Sequence, residues 1–354
     1  MWGEVRLSVK RGASGQMFRK IKVGQIGIGH NHGSEKMSSL RRLSELYEVV
    51  GVVESDPVWY ERRHGLKEYA GLRWMTEDEL FAVPGLEMVA VETDSLELVP
   101  TAHRCADHGL HMHLDKPGGS SLPEFRSLLD KMERRGLAIQ LGYMYRNNPA
   151  IRFVKDALRQ GWLGEIFEIH AVMSRWDGDD YRRWIGQFQG GAMYIFGGHL
   201  IDLVISMLGR PTDVIALNTC TRDDGCEDNG FAVMTYPRAT VSVRTSICEV
   251  DGMKHRRLIV CGTQGTAEIC PLEHPADRYR LDHLHVRLTL KRDCGPYAAG
   301  THLVEVPLMN GRYDDQITEF AHIIRGEMAN PYSYRHEFLV QEALMAACGH
   351  RGLY

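Results

Sequence analysis

The chain has 354 residues, 44% of them hydrophobic and 25% charged, with 42 Lys and Arg against 46 Asp and Glu and a formal net charge of -4. This length fits two domains, and the composition excludes a disordered chain, a collagen or a small disulfide scaffold. The balanced charge lacks the basic footprint of a nucleic-acid or anionic-membrane binder, and no stretch reaches the roughly 20 apolar residues of a membrane span. A small molecule is the expected partner.

Residues 1–16, rich in Gly, Ser and Arg, read as a disordered extension ahead of Met17, and no apolar run of signal-peptide length is present. From Ile21 the sequence runs I-K-V-G-Q-I-G-I-G-H-N-H-G, a strand breaking into glycines. A helix over Ser34 to Leu46 follows, then a strand from Val49 to Val53 closing on Glu54. Trp74 to Glu79 reads as a strand end and loop, Leu80 and Phe81 as a short helix, and Glu87 to Val91 as a strand. Val99 to His108 is helical, Leu110 to Leu114 extended, and Leu122 to Arg135 an amphipathic helix. This alternation predicts a doubly wound parallel sheet, a Rossmann domain over 17–145.

Beyond Gly142 the pattern changes. After a helix from Pro149 to Gln160 come β runs at 165–174, 212–219, 230–236, 239–249, 256–261, 284–291 and 302–308, interrupted by one helix from Met193 to Leu208. Helices over Asp314 to Arg325 and Arg335 to Ala347 close the chain. Residues 146–354 are therefore predicted as a second α/β domain with a large, mostly antiparallel open sheet. The eight cysteines form no C-x-x-C pair, and they read as reduced thiols of a cytoplasmic protein.

Gly27-Ile28-Gly29 stands where a dinucleotide fold needs glycine, the first for a tight turn and the second for backbone approach to a pyrophosphate. His32 occupies the strict third position and Gly33 follows. Glu54, 25 residues after Gly29, falls where a carboxylate meets the adenosine ribose, and its charge favours NAD over NADP. His30, Asn31 and His32 are expected beside the cofactor. Trp176, Asp177, Tyr181, Arg182 and Trp184 form a polar-aromatic loop suited to a sugar, with Trp176 and Arg182 as candidate substrate contacts. His111 and His113 alternate onto one side of a strand, but no third ligand is evident and no metal is expected.

Several short motifs then occur in order: H-M-H-L-D-K-P at 111–117, Gly142-Tyr143-Met144-Tyr145-Arg146, Gly161-Trp162-Leu163-Gly164-Glu165-Ile166, Gly190-Gly191, G-G-H-L-I-D at 197–202, Leu208-Gly209-Arg210-Pro211 and Ile324-Arg325-Gly326. Together they resemble the glucose-fructose oxidoreductase, inositol dehydrogenase and rhizopine-catabolism family, Gfo/Idh/MocA, over nearly the whole chain from residue 20. The resemblance implies a nicotinamide cofactor in the cleft between the domains and hydride transfer at one carbon of a sugar or polyol. It also implies a homo-oligomer, dimer or tetramer, through the second sheet. By the same resemblance Lys116 is the lysine of the acid-Lys-Pro motif, with Asp115 in place of glutamate and Pro117 after it. His199 is the histidine of the second-domain helix, and Asp202 an acid one turn on. Thr93, Asp115, Lys116, Pro117 and Arg146 are expected around the cofactor, and Tyr143 and Tyr145 with Lys116, His199 and Asp202 around the substrate.

The chemistry asks for such groups, because hydride loss from a carbinol needs a base near the hydroxyl and a cation beside the developing alkoxide. Two departures bear on it. Ile195 stands four residues before His199, where the family places an acid, and Thr93-Asp94-Ser95-Leu96-Glu97-Leu98 has Asp94 and Leu98 where a T-P-x-x-x-H-like segment has Pro and His. Two rival readings follow from the first. One is a lyase or glycosidase working through transient oxidation of a sugar carbon, and the other is a cofactor-binding sensor or scaffold without catalysis.

Overall fold

The computed structural model describes residues 19–30, 32–273, 284–307 and 311–350. The expected extension at 1–16 lies outside them. Strands β1 (Ile21–Ile26), β2 (Tyr47–Val53), β3 (Trp74–Met75), β4 (Leu86–Val91), β5 (His111–Leu114) and β6 (Ile139–Leu141) form a parallel sheet ordered β3-β2-β1-β4-β5-β6. The apolar runs of β4 and β5 are buried almost end to end, as a sheet covered on both faces requires. Helices α1 (Gly33–Arg42), α2 (Pro57–Arg63), α3 (Glu77–Phe81), α4 (Leu98–Asp107) and α5 (Leu122–Arg134) connect the strands. Three of them start on residues suited to capping: Asp56 before α2, Thr76 with Glu79 in a capping box at α3, and Ser121 before α5.

The second layer begins with α6 (Pro149–Arg159), capped by Asn148. Then come β7 (Ile166–Ser174), α7 (Asp179–Ile185), a π-helical turn at Met193–Gly197 and α8 (Gly198–Leu208). Strands β8 (Asp213–Ala216), β9 (Asn229–Thr235), β10 (Thr240–Ser246), β11 (Arg257–Gly262), β12 (Gly265–Ile269), β13 (His285–Leu290) and β14 (Gly300–Glu305) complete an eight-stranded sheet ordered β14-β13-β12-β11-β7-β10-β9-β8. Its one parallel neighbour pair is β7 with β10; the others are antiparallel.

The predicted architecture is present. Four short elements are additional to the sequence prediction: α2, β6, α7 and β12, each of seven residues or fewer and too brief to display a period. The closing helices α9 (Asp314–Ile324) and α10 (Tyr334–Ala347) return to the first layer. Asp314 pairs with Arg42 at α1, the Tyr47 hydroxyl donates to the Ile317 carbonyl, and Gln341 bonds the backbone at Gly118 and Gly119. One continuous apolar core therefore runs through both layers. The strand order reverses between β1 and β4, and the crevice outside their carboxyl ends is where such a sheet takes its ligand.

Candidate active site

The crevice is built from the ends of β1, β2, β4 and β5. Gly27 has φ +88°, and a Cβ there would lie 2.4 Å from the Thr93 backbone nitrogen, so the turn tolerates glycine alone. At Gly29 an added Cβ would meet the Trp59 indole nitrogen at 2.9 Å. Glu54 accepts the Ile28 N–H at 2.7 Å and the Asp56 N–H at 2.8 Å, which ties the end of β2 to the glycine turn. Gly27, Glu54 and Thr93 line one open cleft of about 460 Å³, together with Trp59 and Asp94.

Two observations test this cleft against a dinucleotide. The Thr93 hydroxyl is buried and makes no hydrogen bond, and His32 at the start of α1 provides no side-chain cap to the first turn. An acceptor-rich ligand would satisfy both the hydroxyl and the open first-turn N–H groups. The residues present fit the group. Asn31 lies outside the described residues.

At the other end of the crevice, the imidazoles of His30 and His32 converge on Asp115. His30 Nδ1 pairs with Asp115 Oδ2, and His32 Nδ1 lies 3.1 Å from the same oxygen. Burial lowers the pKa of both histidines, strongly for His32, although Asp115 opposes it. Burial also pushes Asp115 upward, but His30, Lys36 and His32 outweigh it and hold the carboxyl well below its usual range. Three donor atoms of these residues lie within 4.8 Å of one another, a grouping that the sequence reading did not assemble. The carboxylate is nonetheless committed to the Lys116 N–H and both rings, and Lys36 Nζ stands 3.8 Å away, so a hydrogen-bonded cluster accounts for it. His111 accepts from the Ala138 N–H, while His113 is fully buried, so this pair forms no joint site.

Lys116 joins this end to a second, narrow cavity, lined also by His30, His32, Ile195 and His199. The Lys116 side chain is buried, and its Nζ donates to the Ile195 carbonyl at 3.0 Å. The position that lacks an acid side chain thus holds the lysine through its backbone, from within the π-helical turn Met193–Gly197. Burial lowers the Lys116 pKa to about 8, against the pull of Asp115. His199 is buried with Nδ1 unpartnered, and burial with nearby Lys116 lowers its pKa well below 6.5, which keeps the ring neutral.

Other expected site residues lie elsewhere. Asp202 turns away from His199 into a buried network, accepting from Arg146 at 2.7 Å and pairing with His336 at 2.9 Å. Arg146 also grips Glu337 at 2.8 Å, so it holds the layers together and does not line the cleft at Gly27 and Glu54. Neither lines the cavity, because each satisfies its charge on the other and on α10. Tyr143 and Tyr145 are packed edge-on behind His199, with centroids 5.9 and 5.8 Å away. Trp176 is 61% exposed, and Arg182 pairs with Asp224 and Asp228 on the far side of α7 from the cavity lining. Pro117 follows Lys116 through a cis peptide bond and lines neither cavity.

Of the predicted polar-aromatic loop, Tyr181 and Trp184, with ring centroids 5.3 Å apart, line the cavity from α7. Arg175 at the end of β7, Arg256 and Arg312 also line it and are absent from the expected site. Arg256 and Arg312 reach the cavity from distant loops and carry no local motif.

The family model for the GFO/IDH/MocA C-terminal domain matches residues 151–268, from α6 into β12. That third of the chain is similar to the C-terminal domain of the Gfo/Idh/MocA family. Among curated relatives the chain is 27% identical over 218 residues to the uncharacterized oxidoreductase YhhX of Escherichia coli, covering 58% of this chain and 61% of that one. It is 27% identical over 199 residues to the rhizopine catabolism protein MocA of Rhizobium meliloti, covering 55% and 59% respectively. The match thus spans about three fifths of those relatives' lengths. Among solved structures, the WlbA dehydrogenase of Bordetella pertussis in complex with NADH and UDP-GlcNAcA superposes with a TM-score of 0.74, at 18% identity over 93% of this chain and 95% of that one. The two-layer fold is therefore shared with that structure over nearly its whole length. Among the described residues, no helix is long and apolar enough to cross a membrane.

Proposed function

We propose that this protein is an NAD-dependent oxidoreductase that transfers a hydride at one CH–OH carbon of a sugar, polyol or related hydroxy compound. The observation carrying the reading is Lys116, which joins the dinucleotide end of the crevice to a second cavity lined by His199 and has a pKa lowered to about 8. Its relative WlbA supports it through the NADH and the sugar nucleotide named in that complex.

Gly27 and the α1 N-terminus would hold the pyrophosphate, Glu54 the adenosine ribose, and Thr93 and Asp115 the nicotinamide half. When bound, the nicotinamide accepts or returns the hydride. The protein's own part is proton handling and position. Lys116 Nζ, held by the Ile195 carbonyl, takes the hydroxyl proton in its neutral form and stabilises oxyanion charge in its protonated form. His199, neutral and facing the same cavity, hydrogen-bonds the hydroxyl and fixes its orientation. The bond from Lys116 to the Ile195 backbone supports the catalytic reading, since it orients the lysine without an acid at position 195.

The choice of NAD rests on the cleft around Glu54. Its wall includes Asp56, Glu77, Asp94 and Glu97 against Arg104, which is already paired with Glu77 at 2.7 Å. A 2'-phosphate there would meet unmatched carboxylates. Self-association through the eight-stranded sheet is part of the same proposal, because its outer strands leave Ile215 47% and Leu303 66% exposed. Formation of reduced cofactor from NAD or NADP with a panel of aldoses, polyols and their acids tests the reaction. No cofactor binding, or turnover without net reduced cofactor, would overturn it.

A further inference from the structure

The glycine turn after β1 is held from α2. Gly33 stands one place beyond the strict third glycine position, and a Cβ there would meet Gln25 Nε2 at 3.2 Å and Glu92 Cβ at 3.3 Å. Gly33 thus supplies the close helix–strand packing, and the turn ahead of it is one residue longer. Arg63, on α2, takes up two carbonyls of that turn, its Nη1 donating to Ile28 O at 3.0 Å and to His30 O at 2.7 Å. Trp59, one helical turn earlier on the same face, packs its indole against Gly29, and the Arg63 guanidinium lies 5.0 Å from the ring centroid. Asp56 accepts the Val58 and Trp59 N–H groups at the start of α2, and Glu54 ties Asp56 to the turn.

The other N–H groups at the head of the turn are engaged: Gly27 with the Val53 carbonyl, Ile28 with Glu54 and His30 with the Glu92 carbonyl. Gly29 is buried, yet among the described residues its N–H has no acceptor. The Ile28–Gly29 peptide is planar and trans, so a carbonyl drawn to Arg63 turns the Gly29 N–H the opposite way, away from α2. We infer that Arg63 is a positioning residue for the dinucleotide pyrophosphate, presenting the Gly29 N–H to it by holding the Ile28 and His30 carbonyls. The inference rests on the proposed reading of the crevice as a dinucleotide site and names the residue that sets its glycine turn in advance. Arg63 does not line the cleft at Gly27 and Glu54, so it acts through the backbone. Lysine is no equivalent there, because it keeps the charge but is shorter and lacks the rigid guanidinium plane.

The test is calorimetric binding of NADH and ADP, with adenosine measured by displacement of NADH, to wild type, Arg63→Met and Arg63→Lys. Arg63→Met is expected to bind NADH and ADP about tenfold or more weakly, and adenosine, which has no pyrophosphate, within about threefold of wild type. Arg63→Lys is expected to recover only part of the NADH affinity and to stay about threefold or more below wild type. Wild-type NADH affinity in Arg63→Met overturns the inference, as does a loss of adenosine in proportion to ADP. Full recovery in Arg63→Lys also overturns it, since the arginine would then act by charge alone. Should Arg63→Met fail to fold, the Arg63→Lys comparison decides. Wild type that binds neither NADH nor NADPH sinks the proposed reading and this inference with it, whereas NADH binding that is insensitive to Arg63 sinks this inference and leaves that reading standing.

Discussion

Replacing Lys116 by methionine preserves much of its length and apolar contact while removing the charge. Burial lowers the Lys116 pKa from 10.5 to about 8. That fall costs the folded state about 3 kcal/mol at neutral pH. Against this, Lys116→Met loses the hydrogen bond to the Ile195 carbonyl, worth about 1 kcal/mol. The variant is therefore expected to be more stable than wild type at pH 7 by about 2 kcal/mol. The pH dependence has a definite sign. With the folded pKa below the unfolded one, the unfolded chain binds more protons from about pH 8 to about pH 10.5, so wild-type stability rises through that window. The advantage of Lys116→Met should shrink across it. Urea denaturation of both proteins at pH 7 and near pH 10 measures the difference. Turnover should be abolished, with NAD affinity within a few fold of wild type, since the lysine acts on the substrate. A variant less stable at pH 7, a difference independent of pH, or normal turnover would refute the reasoning.

In the oxidation direction, kcat/KM of the wild type should rise with pH through about 8 as Lys116 loses its proton; a flat profile there would remove it as the base. Glu54→Ala should weaken NADH binding by about tenfold and narrow the preference over NADPH, read by fluorescence titration, and an unchanged ratio would contradict the ribose assignment. Gly27→Ala places a methyl 2.4 Å from the Thr93 nitrogen at φ +88°, so it should lose about 2 kcal/mol or more of stability and most cofactor affinity, measured by thermal denaturation with and without NAD. Arg146→Met strands Asp202 and Glu337 in the interior and should cost about 3–5 kcal/mol. Should it instead leave stability intact and weaken NAD, Arg146 would belong to the cofactor site after all.

What could be read in the sequence and what could not divide along a physical line. The parallel layer was legible because its strands are buried on both faces and its turn requires a residue that tolerates φ +88°, both properties of short stretches of chain. Lys116 was legible for the same reason, as one residue at the end of one strand. Asp202 was not. Its place one turn after His199 fixes which side of α8 it occupies, but its rotamer is decided by Arg146 and His336, which lie 56 and 134 residues away. A carboxylate in the interior goes to the best available cations, and no local spacing predicts which they will be. The arginines follow the same rule in reverse. Arg182, in the loop with the aromatic residues, is drawn off by Asp224 and Asp228, whereas Arg256 and Arg312 reach the cavity because Glu273 anchors both from behind. The near-neutral total charge thus conceals a local polarity. Acids gather in the cleft around Glu54 and arginines line the cavity beside Lys116, so one nearly uncharged chain presents opposite fields at the two ends of its crevice.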